Sequence, residues 1–173
     1  IKDDQNLVDQ QWCPFEERVS RCADAIAETS RRRGRPCLYF AHVSGARESM
    51  IKRATRARAL GATGLLIAPG LTGFDPLRSL SSDEGLDLPI MSHPTFLGAL
   101  VDSEKGGLAP AVVYGLLPRL SGADLTLYPA FGSGYRMSQQ DCLSVVEECV
   151  KSLGTLKPTM PAVGGRIGPE RLS

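Results

Sequence analysis

Lys2, Asp3, Asp4 and Gln5 set one amine, two carboxylates and one amide in four consecutive positions. Side chains in extended backbone alternate faces, so Lys2 and Asp4 project to one side and Asp3 to the other. Gln5 follows where the chain should leave the strand, and it can swing back toward that pair. A carboxylate and an amide oxygen at a strand end suit a hard cation such as Mg²⁺, whereas an amine does not. Lys2 becomes a ligand only if CO₂ converts its amine to a carbamate, an oxygen anion. The plainer alternative for these residues is a solvated charge cluster.

The chain has two histidines, His42 and His93. Each falls at the end of an apolar run that reads as a strand. A strand-end histidine is a fair general acid or base because its ordinary pKa lies near neutrality. Its plain alternative is a buried, hydrogen-bonded side chain without chemistry. Gly164 and Gly165 follow the last apolar run, where backbone N–H groups could approach a phosphate; a simple turn explains them equally. No GxGxxG, GxxxxGK[ST] or HExxH string occurs, which argues against dinucleotide, P-loop and zincin chemistry.

These residues need elements to position them. From Pro14 to about Arg33, Phe15, Val19, Cys22, Ala23, Ile26 and Ala27 recur at helical spacing, and Gly34 is a natural stop. Cys37–Val43 reads as a buried strand, Glu48–Leu60 as a helix, and Thr63–Ala68 as a strand covered on both faces. Pro69–Gly73 reads as a loop and Asp75–Leu80 as a short helix. Leu88–Met91 is the next strand, running into Ser92 and His93. A helix over about 111–120, a strand over Asp124–Tyr128, a helix over Ser138–Leu153 capped by Ser138, and a strand over Thr159–Val163 complete the series.

Strand and helix alternate throughout, which means right-handed βαβ units and a parallel sheet. About six strands are expected, counting the stub at Ile1. An open doubly wound sheet and part of a (β/α)8 barrel both fit. Because a closed barrel needs eight strands, the favoured expectation is α/β, a partial (β/α)8 TIM barrel of about strands two to seven. Residues 1–173 would then be one piece of a catalytic barrel domain. In either architecture ligands bind at the carboxyl ends of the strands, which singles out Lys2, Asp4, Gln5, His42 with Ser44 and Gly45, Pro69 and Gly70, His93, the 129–134 loop and Gly164–Arg166.

Composition bounds the rest. In 173 residues, 42% are hydrophobic and 23% charged, enough for a core and too ordered in character for a disordered chain. A net charge of +1 gives no case for nucleic acid or an anionic membrane. Arg31, Arg32 and Arg33 suit a solvated helix end better than a polyanion patch. Cys13, Cys22, Cys37, Cys142 and Cys149 are odd in number and lack CxxC spacing, so a reducing, cytoplasmic setting is expected. No apolar run reaches membrane-spanning length.

The motifs together resemble the ribulose-bisphosphate carboxylase large-chain family. Lys2-Asp3-Asp4-Gln5 is similar to its KDDE segment, and Met50-Ile51-Lys52-Arg53-Ala54 to its MIKRA string. Arg119 to Asp124 is similar to its RLSGGD turn, and Met160 to Gly165 to its MPVASGG. The resemblance implies a (β/α)8 barrel in which Lys2, carbamylated, would hold Mg²⁺ with Asp4 and position 5. His93 would be the active-site histidine of strand five, and Gly164 and Gly165 the phosphate-binding turn. It also implies a homodimer, and a family amino-terminal domain and further strands lying outside this chain.

The departures are as informative. Gln5 replaces a glutamate ligand, Pro94 a phosphate-binding arginine, and Leu127 a second substrate histidine. The loop Phe131–Arg136 lacks the carboxylase lysine, so CO₂ fixation is not expected. Ser92–Phe96 and Pro129–Gly132 look instead like the non-carboxylating, form IV RuBisCO-like proteins. The implied function is an isomerase or enolase of a phosphorylated ketose or keto acid, for example a 5-methylthioribulose-1-phosphate isomerase of methionine salvage. A decarboxylase of a phosphorylated 3-oxo sugar acid is the alternative. So are a metal-free enzyme using Lys2 as a base, and a catalytically inactive binding or regulatory paralogue.

Overall fold

The computed structural model describes residues 1–101 and 106–165. Helix α1 spans Phe15–Arg33, with Glu16 and Glu17 in its first turn and Arg31, Arg32 and Arg33 in its last. Acids at the amino end and bases at the carboxyl end both complement the helix dipole. Gly34 stops it in the left-handed conformation, at φ 65°. The arginine run is therefore an exposed helix end, as expected.

Strand β1 is Phe40–His42, α2 is Arg47–Ala59, and β2 is Gly64–Ile67. The segment read as a loop after β2 is instead a single helical turn, α3, over Pro69–Thr72. Proline suits a first helical position because its missing N–H has no partner there anyway. Helix α4 covers Phe74–Ser81, and β3 covers Ile90–Ser92.

The helix expected over 111–120 is divided. Ala111–Leu116 is a wide π-helical turn that tightens into α5, Leu117–Leu120. Pro118 has no N–H to give to the carbonyl of Tyr114. That carbonyl is taken up by the Thr126 hydroxyl from the neighbouring strand, at 2.7 Å. Strand β4 is Leu125–Pro129, α6 is Gln139–Val150, and β5 is Met160–Gly164. Ser138 caps α6 in a reciprocal box with Asp141.

The five strands are parallel and lie in chain order, β1-β2-β3-β4-β5. Lys2 extends the series through a parallel bridge to Phe40, the sixth strand position expected from the sequence. A doubly wound sheet reverses its strand order part-way; this one does not. Each crossover steps in the same direction, the winding of part of a (β/α)8 barrel.

Alternation separates two apolar layers. Tyr39, Ala41, Val43, Leu65, Ile67 and Ile90 join Phe15, Val19, Met50 and Leu77 between sheet and helices. Phe40, Leu66 and Met91, with Leu125 and Leu127, form a separate inner layer made only of strand residues. Gly64 permits this: a Cβ there would overlap the Phe40 ring.

Asp3 falls on the helix side and is buried. Its carboxylate accepts from Arg18 Nε at 3.1 Å, Tyr39 Oη at 2.8 Å and the His42 amide at 3.0 Å. Arg18 is buried too, and its remaining donors reach the carbonyls of Cys13 and Val8. Removing one partner of such a pair leaves an uncompensated buried charge. We expect Arg18→Met to cost about 3–5 kcal/mol in urea unfolding of the intact protein. Glu16→Ala, which breaks only an exposed pair with Arg56, should leave the midpoint nearly unchanged.

Candidate active site

Because Asp3 points toward the helices, Lys2 points to the opposite face. It borders a cavity of about 930 Å³ at the carboxyl ends of the strands, together with Gln5, His93, Gly164 and Gly165. Met91, Leu127, Tyr128 and Val163 supply apolar wall. With Pro129 of the 129–134 loop, six residues singled out in the sequence therefore share one cavity, although they span the chain from position 2 to position 165.

Two others stand differently. Asp4 is exposed, does not border the cavity, and its Oδ1 accepts from the Asn6 amide at 2.9 Å. Lys2 and Asp4 thus leave the strand on the same side, but only Lys2 reaches the cavity wall. His42 is fully buried and does not border the cavity. Arg166 lies outside the described residues. Among those residues, no group of three or more His, Cys, Asp or Glu side chains is arranged to hold a metal ion.

Lys2 is half-buried, and its Nζ donates to the Asp3 carbonyl at 3.0 Å. Burial pushes its pKa down, opposed by Asp4 and Asp3. The free amine is the form that reacts with CO₂, and the carbamate so formed would be an oxygen ligand of the kind a hard divalent cation takes; Gln5 shares its cavity, while Asp4 is turned away from it.

His93 sits just past β3, where its amide donates to the Ile67 carbonyl at 2.7 Å. Its Nδ1 accepts from the Thr95 amide at 3.3 Å and pairs with the Thr95 hydroxyl at 2.7 Å. An amide can only donate, so Nδ1 carries no proton and the neutral ring holds its hydrogen on Nε2. Burial, then Lys2 and His42, lower its pKa to about 4. The structure thus presents His93 as a neutral donor rather than a base poised at neutrality.

The turn holding His93 is braced from below. A Cβ on Gly70 would collide with the Thr95 carbonyl and sit 3.0 Å from the Leu97 amide. Phe96, exposed and at φ 64°, takes the left-handed conformation in this turn and borders the cavity. At the far side Gly165, at φ 127°, packs so closely that a Cβ would lie 2.7 Å from Ser133 Cβ. Gly70 and Ser44 are among the strand-end residues expected from the sequence, whereas Tyr114, which borders the cavity, carries no motif and was not legible there. Its role exists only through neighbours distant in the chain.

The catalytic-domain model of the ribulose bisphosphate carboxylase large chain matches residues 1–167. The chain belongs to this family. It is 34% identical over 169 residues to a 2,3-diketo-5-methylthiopentyl-1-phosphate enolase of Bacillus pumilus, covering 98% of this chain and 41% of that one. It is equally 34% identical over 169 residues to a ribulose bisphosphate carboxylase-like protein of Archaeoglobus fulgidus, covering 98% and 39%. The crystal structure of a RuBisCO-like protein from Rhodopseudomonas palustris superposes with a TM-score of 0.90 at 30% identity, over 99% of this chain and 47% of that one. The chain spans about two fifths of the length of the curated relatives it matches. No helix among the described residues of this RuBisCO-family chain is long and apolar enough to cross a membrane, and all five cysteines are free thiols.

Both histidines have folded pKa values near 4, below the ordinary value of about 6.5. Between those values the unfolded chain binds more protons than the folded one. The histidines' contribution to stability is therefore complete above about pH 6.5 and is lost as pH drops toward 4. Melting temperatures of the intact protein should decline across that window, and His42→Asn should flatten the slope.

Proposed function

We propose that the protein is a non-carboxylating RuBisCO-like enzyme that moves a proton beside the carbonyl of a phosphorylated ketose or keto acid. The observation that carries this is the shared cavity: an amine, an amide and a neutral imidazole face apolar wall at the strand ends. Relatives named 2,3-diketo-5-methylthiopentyl-1-phosphate enolase favour enolisation of a diketo phosphate over the isomerisation of a methylthioribulose phosphate.

In this reading Lys2 as a carbamate and Gln5 would hold Mg²⁺ at the cavity, and Asp4 would join them by releasing the Asn6 amide and turning inward. The cation supplies stabilisation of the oxyanion that develops as the C–H bond breaks, a contribution of several kcal/mol. His93 donates a hydrogen bond from Nε2 to a substrate oxygen, while Thr95 fixes the ring. In enolisation the proton leaves carbon and, in the net change, ends on the carbonyl oxygen; the C–H electron pair becomes the new C=C bond and the C=O π pair takes the proton, so no redox partner is needed. Gly164 and Gly165 offer backbone to the phosphate. Leu127 and Met91 exclude water from the reacting carbon and accept an apolar substituent.

The protein works as a cytoplasmic homodimer, with no nucleic acid or membrane partner. The exposed rings of Phe96 and Tyr135 at the cavity support a covering surface there. A second reading is favoured by the lowered pKa of Lys2: the free amine itself serves as the base, without a cation.

Steady-state assays of the intact protein with 2,3-diketo-5-methylthiopentyl-1-phosphate test both. Lys2→Ala should abolish turnover; unimpaired activity would remove Lys2 from the reaction. His93→Ala should lower kcat about 10²-fold, the weight of one oxyanion donor. Chelation should stop the reaction under the metal reading and spare it under the amine reading.

A further inference from the structure

His42 lies outside every role assigned above, yet its surroundings are specific. Ala41 and Val43 face the helices, so His42 faces the inner side of the sheet, the side of Lys2 and Phe40. It is completely buried. Its Nε2 lies 2.7 Å from Ser44 Oγ, and Ser44 Oγ accepts from the Ala68 amide at 2.8 Å.

That chain of bonds fixes the tautomer. The hydroxyl has one hydrogen, and among the described residues its available acceptor is His42 Nε2. If Nε2 carried the ring proton instead, both the Ser44 hydrogen and Nδ1 would be left without partners. The arrangement with fewer orphaned groups puts the proton on Nδ1. Nδ1 is buried and has no hydrogen-bond partner among the described residues. An N–H held in that state is costly unless an acceptor comes to it.

The charged groups that influence this ring are Arg18, Lys2 and Arg53, which disfavour its protonation, and Asp4, which favours it. His93 is close enough to feel the same ring. Arg18 is paired with Asp3 and Arg53 with Asp9, so Lys2, on the same face of the sheet as His42, is the cation that would favour an anionic oxygen there.

We infer that His42 Nδ1–H is a binding donor for an anionic oxygen brought to the inner face of the sheet. The proposal rests on the reading of the cavity as an oxyanion-handling site. Two sources share that chemistry. One is a carbamate on Lys2, which would receive from His42 some of the stabilisation lost with a glutamine at position 5. The other is an oxygen of the bound substrate. Ser44 is the positioning residue: it holds the ring so that the donor, and not the lone pair, is offered.

The test is ¹⁵N–¹H spectroscopy of the histidine rings in the intact protein, with His42 assigned by its loss in His42→Asn. The resting ring should show its proton on Nδ1; a proton on Nε2 would overturn the proposal. Bicarbonate with Mg²⁺ should move the Nδ1 resonance, and Lys2→Met should abolish that response if the carbamate is the acceptor. Phosphoglycolate, which carries a phosphate and a planar carboxylate, should move it instead if the substrate is the acceptor. A ring that answers neither probe overturns the proposal.

His42→Leu should weaken the responding probe about tenfold, and His42→Asn, which retains an N–H, should restore most of the loss. Circular dichroism of both variants separates this from misfolding, because the restoring variant must fold for the comparison to count. An unresponsive His42 in an active enzyme removes this proposal alone. A responsive His42 in a protein without turnover removes the enzymatic reading alone.

Discussion

The buried ion pair between Asp3 and Arg18 sets the position of everything at the cavity. A carboxylate taken out of water is tolerated only when its lone pairs are filled. Here they are filled from three places: helix α1 through Arg18, strand β1 through the His42 amide, and the Tyr39 hydroxyl. Burial and the adjacent carboxylate push the Tyr39 phenol far above its ordinary range, so it remains a donor at all accessible pH. One side chain thereby ties the first residues to the sheet in a single register. A slip of one residue would turn Asp3 into the cavity and Lys2 into the helices.

The same economy governs the cavity's far wall. Met91 and Leu127 of the inner apolar layer line the cavity together with Lys2 and His93. The polar groups are thus few and stand against an apolar floor, where each bond to a ligand is strengthened by the low local dielectric. Arg119, buried, performs a related structural task at the opposite end. It donates to four carbonyls, those of Glu148, Lys151, Leu156 and Lys157, satisfying the end of α6 and fixing the approach to β5. The motif that contains Arg119 is thus an anchor for the strand that delivers Gly164 and Gly165.

Much of this was legible in the sequence because periodicity and local chemistry agree. The buried strands are continuous apolar runs, Gly34 and Ser138 mark helix ends, and strand-end residues must gather on one rim of a parallel sheet. What was not legible depended on partners far along the chain. Asp3 looked like one more charge until Arg18 and Tyr39 supplied its contacts. The wide turn at 111–116 required Thr126 to accept responsibility for a carbonyl that Pro118 leaves unbonded. Asp4 shows the converse: strand alternation put it beside Lys2, but the Asn6 amide engages it as the chain turns away.

The two histidines show how one local device yields opposite results. Each ring is bonded to a hydroxyl two residues further on, His42 to Ser44 and His93 to Thr95, at the same 2.7 Å. At His93 the adjacent Thr95 amide also points at Nδ1, which forces the proton to Nε2. At His42 the serine is occupied by the Ala68 amide and turns its hydrogen to Nε2, which forces the proton to Nδ1. Burial then keeps both rings neutral, and nearby Lys2 reinforces this. A site needing to bind and release oxygen anions gains from such groups: neutral N–H donors stabilise developing charge without the strong ground-state attraction of a permanent cation.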